Sequence, residues 1–205
     1  MNTIARRNVS GCAAIVSAWF RIGPSLYPST EISNRPAGDL CPDTICPMTE
    51  RIEVQRTIAA PPAEIFAVLC DPQGHVAIDA SGMLQDADGD PASAVGDSFV
   101  VHMDRESLND FPLGKYDVTV TIREFDKDRL IAWTVLGQIK PTIGHIYGYR
   151  LEPADGGTLV TSFYDWSDID PHWRDANIFP IISEGALRAT LGILERTVRR
   201  GYPRG

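Results

Sequence analysis

Residues 145–166 read HIYGYRLEPADGGTLVTSFYDW. Asp155-Gly156-Gly157 is a tight turn signal, because glycine reaches positive φ without a Cβ clash. On one side lies His145–Leu151, with Tyr147 and Tyr149; on the other lies Leu159–Trp166, with Phe163 and Tyr164. Two runs of β-formers joined by such a turn make an antiparallel hairpin. Working toward the N-terminus, the same signature repeats. Leu130–Leu136 is almost wholly apolar and holds Trp133, and Asp126-Lys127-Asp128 before it is a turn. Tyr116–Phe125 alternates: Val118, Val120 and Ile122 share one face, Thr119, Thr121 and Arg123 the other. Asp97–Met103 is a further strand, and Met83-Leu84 after Gly82 starts another.

Both flanks of this strand run are helical. From Ile182, the residues Ala186, Leu187, Leu191, Leu194 and Val198 form one apolar stripe, with Ser183 placed as N-cap. Arg188, Glu195 and Arg199 lie opposite, and Glu195 and Arg199 stand at ion-pair spacing. Gly201, Tyr202 and Pro203 end the helix. Upstream, Ile52, Val54 and Thr57-Ile58 form a strand. Pro61-Pro62 then open a helix carrying Ile65, Phe66 and Leu69, and Asp71-Pro72 stop it. His75, Val76, Ile78 and Asp79 suggest a second helical turn. The predicted fold is therefore α+β: an antiparallel sheet of about seven strands with helices segregated to one face, two short ones after the first strand and a long one at the C-terminus. One helix cannot cover that many twisted strands, and the uncovered part is where a pocket forms.

Composition sets the class. The chain has 205 residues, 43% hydrophobic and 22% charged, with net charge −8. That balance argues against nucleic acid as the main partner. No run of 18 apolar residues is present, so no transmembrane helix is expected. Of the four cysteines, Cys12, Cys41 and Cys46 precede Met48, so no disulfide framework supports the main body; Cys70 reads as a buried thiol.

The chain divides near Met48. Residues 1–47 hold five of the fifteen prolines and no sustained period of 2 or 3.6. They are expected to be a disordered extension, or translated from a start upstream of Met48. An export signal built on Arg6, Arg7 and Val9–Phe20 is the alternative, although Arg21 follows with no A-x-A-like cleavage site. A lipoprotein anchor at Cys12 lacks the apolar stretch it needs, and a folded appendage is the remaining reading. Residues 48–205 form the folded domain. The expected location is cytoplasmic, or exported if residues 1–47 act as a signal.

Four strings carry a family likeness: Ala60-Pro61-Pro62-Ala63-Glu64-Ile65-Phe66, His75-Val76-Ala77-Ile78-Asp79-Ala80-Ser81-Gly82, Arg150–Thr158 and Tyr164-Asp165-Trp166-Ser167. In this order and topology the chain resembles the SRPBCC superfamily (START-like or polyketide cyclase/dehydrase-like) from about Thr49 to Arg200. The second and fourth strings are similar to those of a poorly characterised actinobacterial branch. The resemblance implies a seven-stranded sheet gripping the C-terminal helix around a hydrophobic cavity. It implies no particular reaction, since members include lipid carriers, aromatic cyclases, co-chaperones and stress proteins.

The residues offer few catalytic groups. His75 and Asp79 share a helix face and could form a polarised acid–base pair suited to cyclisation and dehydration; the plainer reading is a structural polar pair. No catalytic residue is assigned beyond these two candidates. Asp165, Asp168, Asp170 and His172 read as an acidic exit loop rather than a metal site. Asp86, Asp88, Asp90 and Asp97 have calcium-loop spacing, but Pro91 occupies the position that needs a sharp glycine turn, so they read as a solvated loop. No metal and no cofactor are expected. The inward aromatics are taken as Trp133, Tyr147, Tyr149 and Tyr164. With Phe66, His75, Asp79, Leu187 and Leu191 they form the expected binding set for a small hydrophobic ligand, lipid-like or aromatic. Binding or carriage of that ligand is the leading function. A polyketide-type aromatase/cyclase or dehydratase is the alternative, and a co-chaperone-like interaction module the third.

Overall fold

The computed structural model describes residues 50–106, 113–176 and 178–203. The N-terminal extension, with Cys12, Cys41 and Cys46, lies outside the described residues. Among the described residues no helix is long and apolar enough to cross a membrane.

The elements run β1 (Arg51–Ile58), α1 (Pro62–Cys70), α2 (Pro72–Ile78), β2 (Leu84–Asp88), β3 (Ser98–Asp104), β4 (Lys115–Asp126), β5 (Leu130–Leu136), β6 (Ile146–Ala154), β7 (Gly157–Asp165), α3 (Pro171–Arg174) and α4 (Glu184–Arg200). The seven strands form one antiparallel sheet in the order β1-β7-β6-β5-β4-β3-β2. Strands β2 to β7 follow one another as a meander, and β1 closes on the far edge against β7. This is the helix-grip α+β fold that the sequence predicts.

The register sorts side chains by face. One rung across the inner face runs Ile52, Tyr164, Tyr147, Trp133, Ile122, each opposite the next. Trp133, Tyr147, Tyr149 and Tyr164 thus all point to the helix side. A bulge between Ile122 and Glu124 resets the alternation of β4 and turns Phe125 inward. There it meets Phe66 of α1 edge-on, with ring centroids 5.3 Å apart.

Short polar contacts fix the helices. Asp71 ends α1 and caps α2, its side chain accepting from the Gln73 N–H. Tyr202, beyond α4, donates its hydroxyl to the same carboxylate at 2.6 Å, which ties the chain end to the α1–α2 corner. That corner is tight: a Cβ at Gly74 would stand 1.9 Å from the Val68 carbonyl oxygen, so only glycine fits. Helix α4 begins at Ser183, whose Oγ accepts from the Ala186 N–H. It buries Leu187, Leu191, Leu194 and Thr197. Each fully buried leucine contributes about 1.5–3 kcal/mol. The helix lies over β1 and β7 and against α1 and α2, so the inner face of the middle strands is covered only in part, by α1 and α2.

Three local readings need correction. The acidic run at Asp86 and Asp88 is not a loop but edge strand β2, whose charged residues suit a sheet margin. Pro171 does not interrupt regular structure: it opens α3, with the Asp170 side chain accepting from the His172 N–H. Glu195 bridges to Arg56 of β1, so its ion pair clamps helix to sheet instead of joining Arg199 along the helix.

Candidate functional site

A cavity of about 520 Å³ lies between the inner sheet face, α2 and the first half of α4. Its origin is visible in the helix. The first turns of α4 present Gly185, Ala186 and Ala189, too small to reach the sheet, whereas Leu191 and Leu194 further along fill the space they face. Valines from β3, β4 and β5 form the opposite wall, among them Val101, Val120 and Val135.

Of the nine residues expected at a ligand site, His75, Asp79, Trp133, Tyr147, Tyr149 and Leu187 line this cavity. Phe66, Tyr164 and Leu191 do not. Phe66 is spent on Phe125, Leu191 is buried one turn beyond the cavity, and Tyr164 stands behind His145.

His75 and Asp79 are not brought together as an acid–base pair. The His75 ring is buried edge-on between Phe99 and Trp133, with centroids 4.9 and 4.6 Å away. Its Nε2–H donates to the Leu69 carbonyl at 2.8 Å. Burial pushes its pKa down to about 4, so the ring is neutral at pH 7. Asp79 instead clasps the turn into β2. Its Oδ1 accepts from the N–H and hydroxyl of Ser81, and Oδ2 accepts from the Leu84 N–H at 3.0 Å.

Sequence reasoning missed His145. It is buried just ahead of β6, lines the cavity, and holds Nδ1 3.0 Å from the Tyr164 hydroxyl oxygen. Its ring stands edge-on to Tyr147 and Tyr164, 5.0 and 5.6 Å between centroids. Burial lowers its pKa to about 4. The signal was present: residues 145, 147 and 149 share one face of an extended chain. Burial raises the pKa of Tyr164 and Tyr147, and lifts Tyr149 to about 12 despite a hydrogen bond from Ser162. No lysine or arginine lines the cavity among the described residues.

The other polar clusters have local partners. Asp165 pairs with Arg51 at 3.0 Å and accepts from Ser167; Asp86 accepts from Gln73; Asp97 accepts from Ser93 and Ala94. Exposed His102 sits between Asp88 and Asp117, at 2.9 and 2.7 Å, and these hydrogen bonds raise its pKa to about 9. Among the described residues, no three or more His, Cys, Asp or Glu side chains are arranged to hold a metal ion. Cys70 is buried and its thiol is pushed up to about 12. At pH 7 it is therefore protonated and a poor nucleophile.

Residues 49–199 match the family described as polyketide cyclase / dehydrase and lipid transport. The chain belongs to this family. No curated protein matches it. Among solved structures, it is similar to a protein of Rhodobacter sphaeroides, 16% identical, covering 73% of this chain and 93% of that one with a TM-score of 0.51. It is also similar to protein Ms6760 of Mycobacterium smegmatis, 15% identical, covering 75% and 94% with a TM-score of 0.50. At these identities the likeness is one of fold. Function in this family has to be argued from the cavity of each member.

Proposed function

We propose that this member of the family binds and carries a small hydrophobic ligand, lipid-like or aromatic, between α4 and the sheet. The observation that carries the reading is the apolar cavity of about 520 Å³, within the size range of small-molecule sites. Burying about 400 Å² of apolar ligand surface contributes roughly 10 kcal/mol at 25 cal/mol per Å². Association costs at least about 4 kcal/mol of that. The remainder, at most about 6 kcal/mol, corresponds to a dissociation constant of roughly tens of micromolar, with no catalytic group required.

The cyclase or dehydratase reading has less support. It asks for a proton-transfer pair, and His75 and Asp79 are committed to Leu69, Ser81 and Leu84. A buried imidazole titrating near 4 is also a weak general base at neutral pH. The interaction-module reading asks for an exposed apolar face. Among the described residues only Val95 and Leu136 are exposed large apolar side chains.

Native mass spectrometry of the purified full chain, with titration of the neutral probe N-phenyl-1-naphthylamine, tests the proposal. A retained non-covalent adduct or saturable probe binding is expected, and Leu187→Trp, which fills the cavity, should abolish it in a folded protein. A chain that is ligand-free and does not take up the probe would sink the carrier reading.

A further inference from the structure

The cavity is apolar but not featureless. His145 lines it and is only 6% exposed. Its Nδ1 is engaged by the Tyr164 hydroxyl at 3.0 Å. The Tyr164 oxygen also takes a hydrogen bond from the Ile181 backbone, which opposes the rise in its pKa. If Nδ1 carried the imidazole hydrogen, the Tyr164 hydroxyl would have no acceptor among the described residues. The consistent arrangement has Tyr164 donating to Nδ1, which places the hydrogen of the neutral ring on Nε2. No protein acceptor meets that Nε2–H among the described residues. The Nε2–H faces the cavity, so an apolar ligand would bury this donor without a partner, and a ligand that accepts from it is favoured over one that does not.

Charge narrows the choice further. Among the described residues, the only ionisable carboxylate on the wall is Asp79, and no lysine or arginine lines it to balance a negative ligand. Both cavity histidines stay neutral at pH 7 because burial holds them near 4. A carboxylate would lose its hydration for the one neutral His145 donor, with no counter-charge in return.

We infer that the cavity selects an uncharged ligand bearing a carbonyl, ether or phenolic oxygen, which accepts a hydrogen bond from His145 Nε2 while Tyr164 holds the ring in that tautomer. The inference rests on the carrier reading above and adds the polar group that the ligand must bear. Tyr164 is a positioning residue; His145 is the contacting one.

Three bicyclic compounds separate the possibilities by competition against N-phenyl-1-naphthylamine at pH 7. They are 2-acetylnaphthalene, a neutral ketone; 2-ethylnaphthalene, its apolar analogue; and 2-naphthoate, its anionic analogue. The ketone should compete roughly three- to tenfold better than the ethyl compound, the worth of one hydrogen bond. It should compete at least about tenfold better than the naphthoate, whose charge has no partner. In His145→Phe the ratio of ketone to ethyl compound should fall to about one, and His145→Gln, which keeps a donor, should restore part of it. Imidazole ¹⁵N shifts should report the Nε2–H tautomer for His145 and its loss in Tyr164→Phe. Binding of ketone and ethyl compound with equal strength would overturn the inference and leave the carrier reading standing. Failure of the probe and all three compounds to bind would remove both.

Discussion

Gly148 of β6 lies directly opposite Phe163 of β7, and the phenyl ring occupies the space where a side chain at 148 would stand. A Cβ there would sit 2.3 Å from Cζ of the ring. The ring cannot easily give way, because the Arg51 guanidinium lies 4.1 Å above its centroid and Arg150 approaches at 6.0 Å. Gly148→Ala should therefore cost about 1–3 kcal/mol, the usual range for overpacking. Urea denaturation checks it, and an unchanged midpoint would show that the ring moves aside.

Helix α4 anchors the core through Leu191, which is 1% exposed and away from the cavity. Leu191→Ala should cost about 2–5 kcal/mol. Arg188 is exposed and, among the described residues, pairs only along the helix with Glu184. Its change to Ala should stay within about 0.5 kcal/mol. Comparable losses from the two would mean that the stripe does not hold the helix to the sheet.

The histidines should titrate in opposite directions. His102, between two aspartates, has its folded pKa raised to about 9. Its contribution to stability is present in full below about pH 6.5, the unfolded value, and is lost as pH rises through 9. His75 and His145 have folded values near 4. Between about pH 6.5 and 4 the unfolded chain binds protons that the folded chain refuses, so stability falls on acidification. Imidazole resonances followed by NMR should show His75 and His145 silent above about pH 5 and His102 titrating near 9. The stability gap between wild type and His102→Gln should close at alkaline pH.

The family match begins at residue 49 and β1 at Arg51. We expect a chain started at Met48 to melt within a degree or two of the full chain. A drop of several degrees would show that residues 1–47 contribute to the fold.

Much of the fold is legible because its signals are local. Alternation marks Val118, Val120 and Ile122, the Asp155-Gly156 turn marks a hairpin, and Ser183 caps a helix where a cap is expected. What escaped depends on residues distant in sequence. Glu195 has a partner four residues away in the pattern, yet it bonds to Arg56 on another element, because α4 crosses β1. His145 looks like an ordinary strand-end residue until β7 folds back and sets Tyr164 beside it. Asp79 sits one helical turn from His75, but the chain leaves the helix there and its carboxylate turns to the backbone of the next strand. Periodicity identifies a face; it does not say which of two neighbours a polar group will choose.

The pairing of β1 with β7 has a consequence during synthesis. Arg51–Ile58 must wait for its partner Thr158–Asp165, whereas strands β2 to β7 each pair with the strand just made. At translation rates of about 5–20 residues per second, that first strand spends on the order of 5–20 s exposed on the nascent chain. Throughout that interval Val54 and Ile58, which end buried at 2% and 1%, are available to other edges. Arg51, Glu53 and Arg56, interleaved with them, keep the waiting segment charged, so the residues that later make ion pairs first serve to keep the growing chain from aggregating.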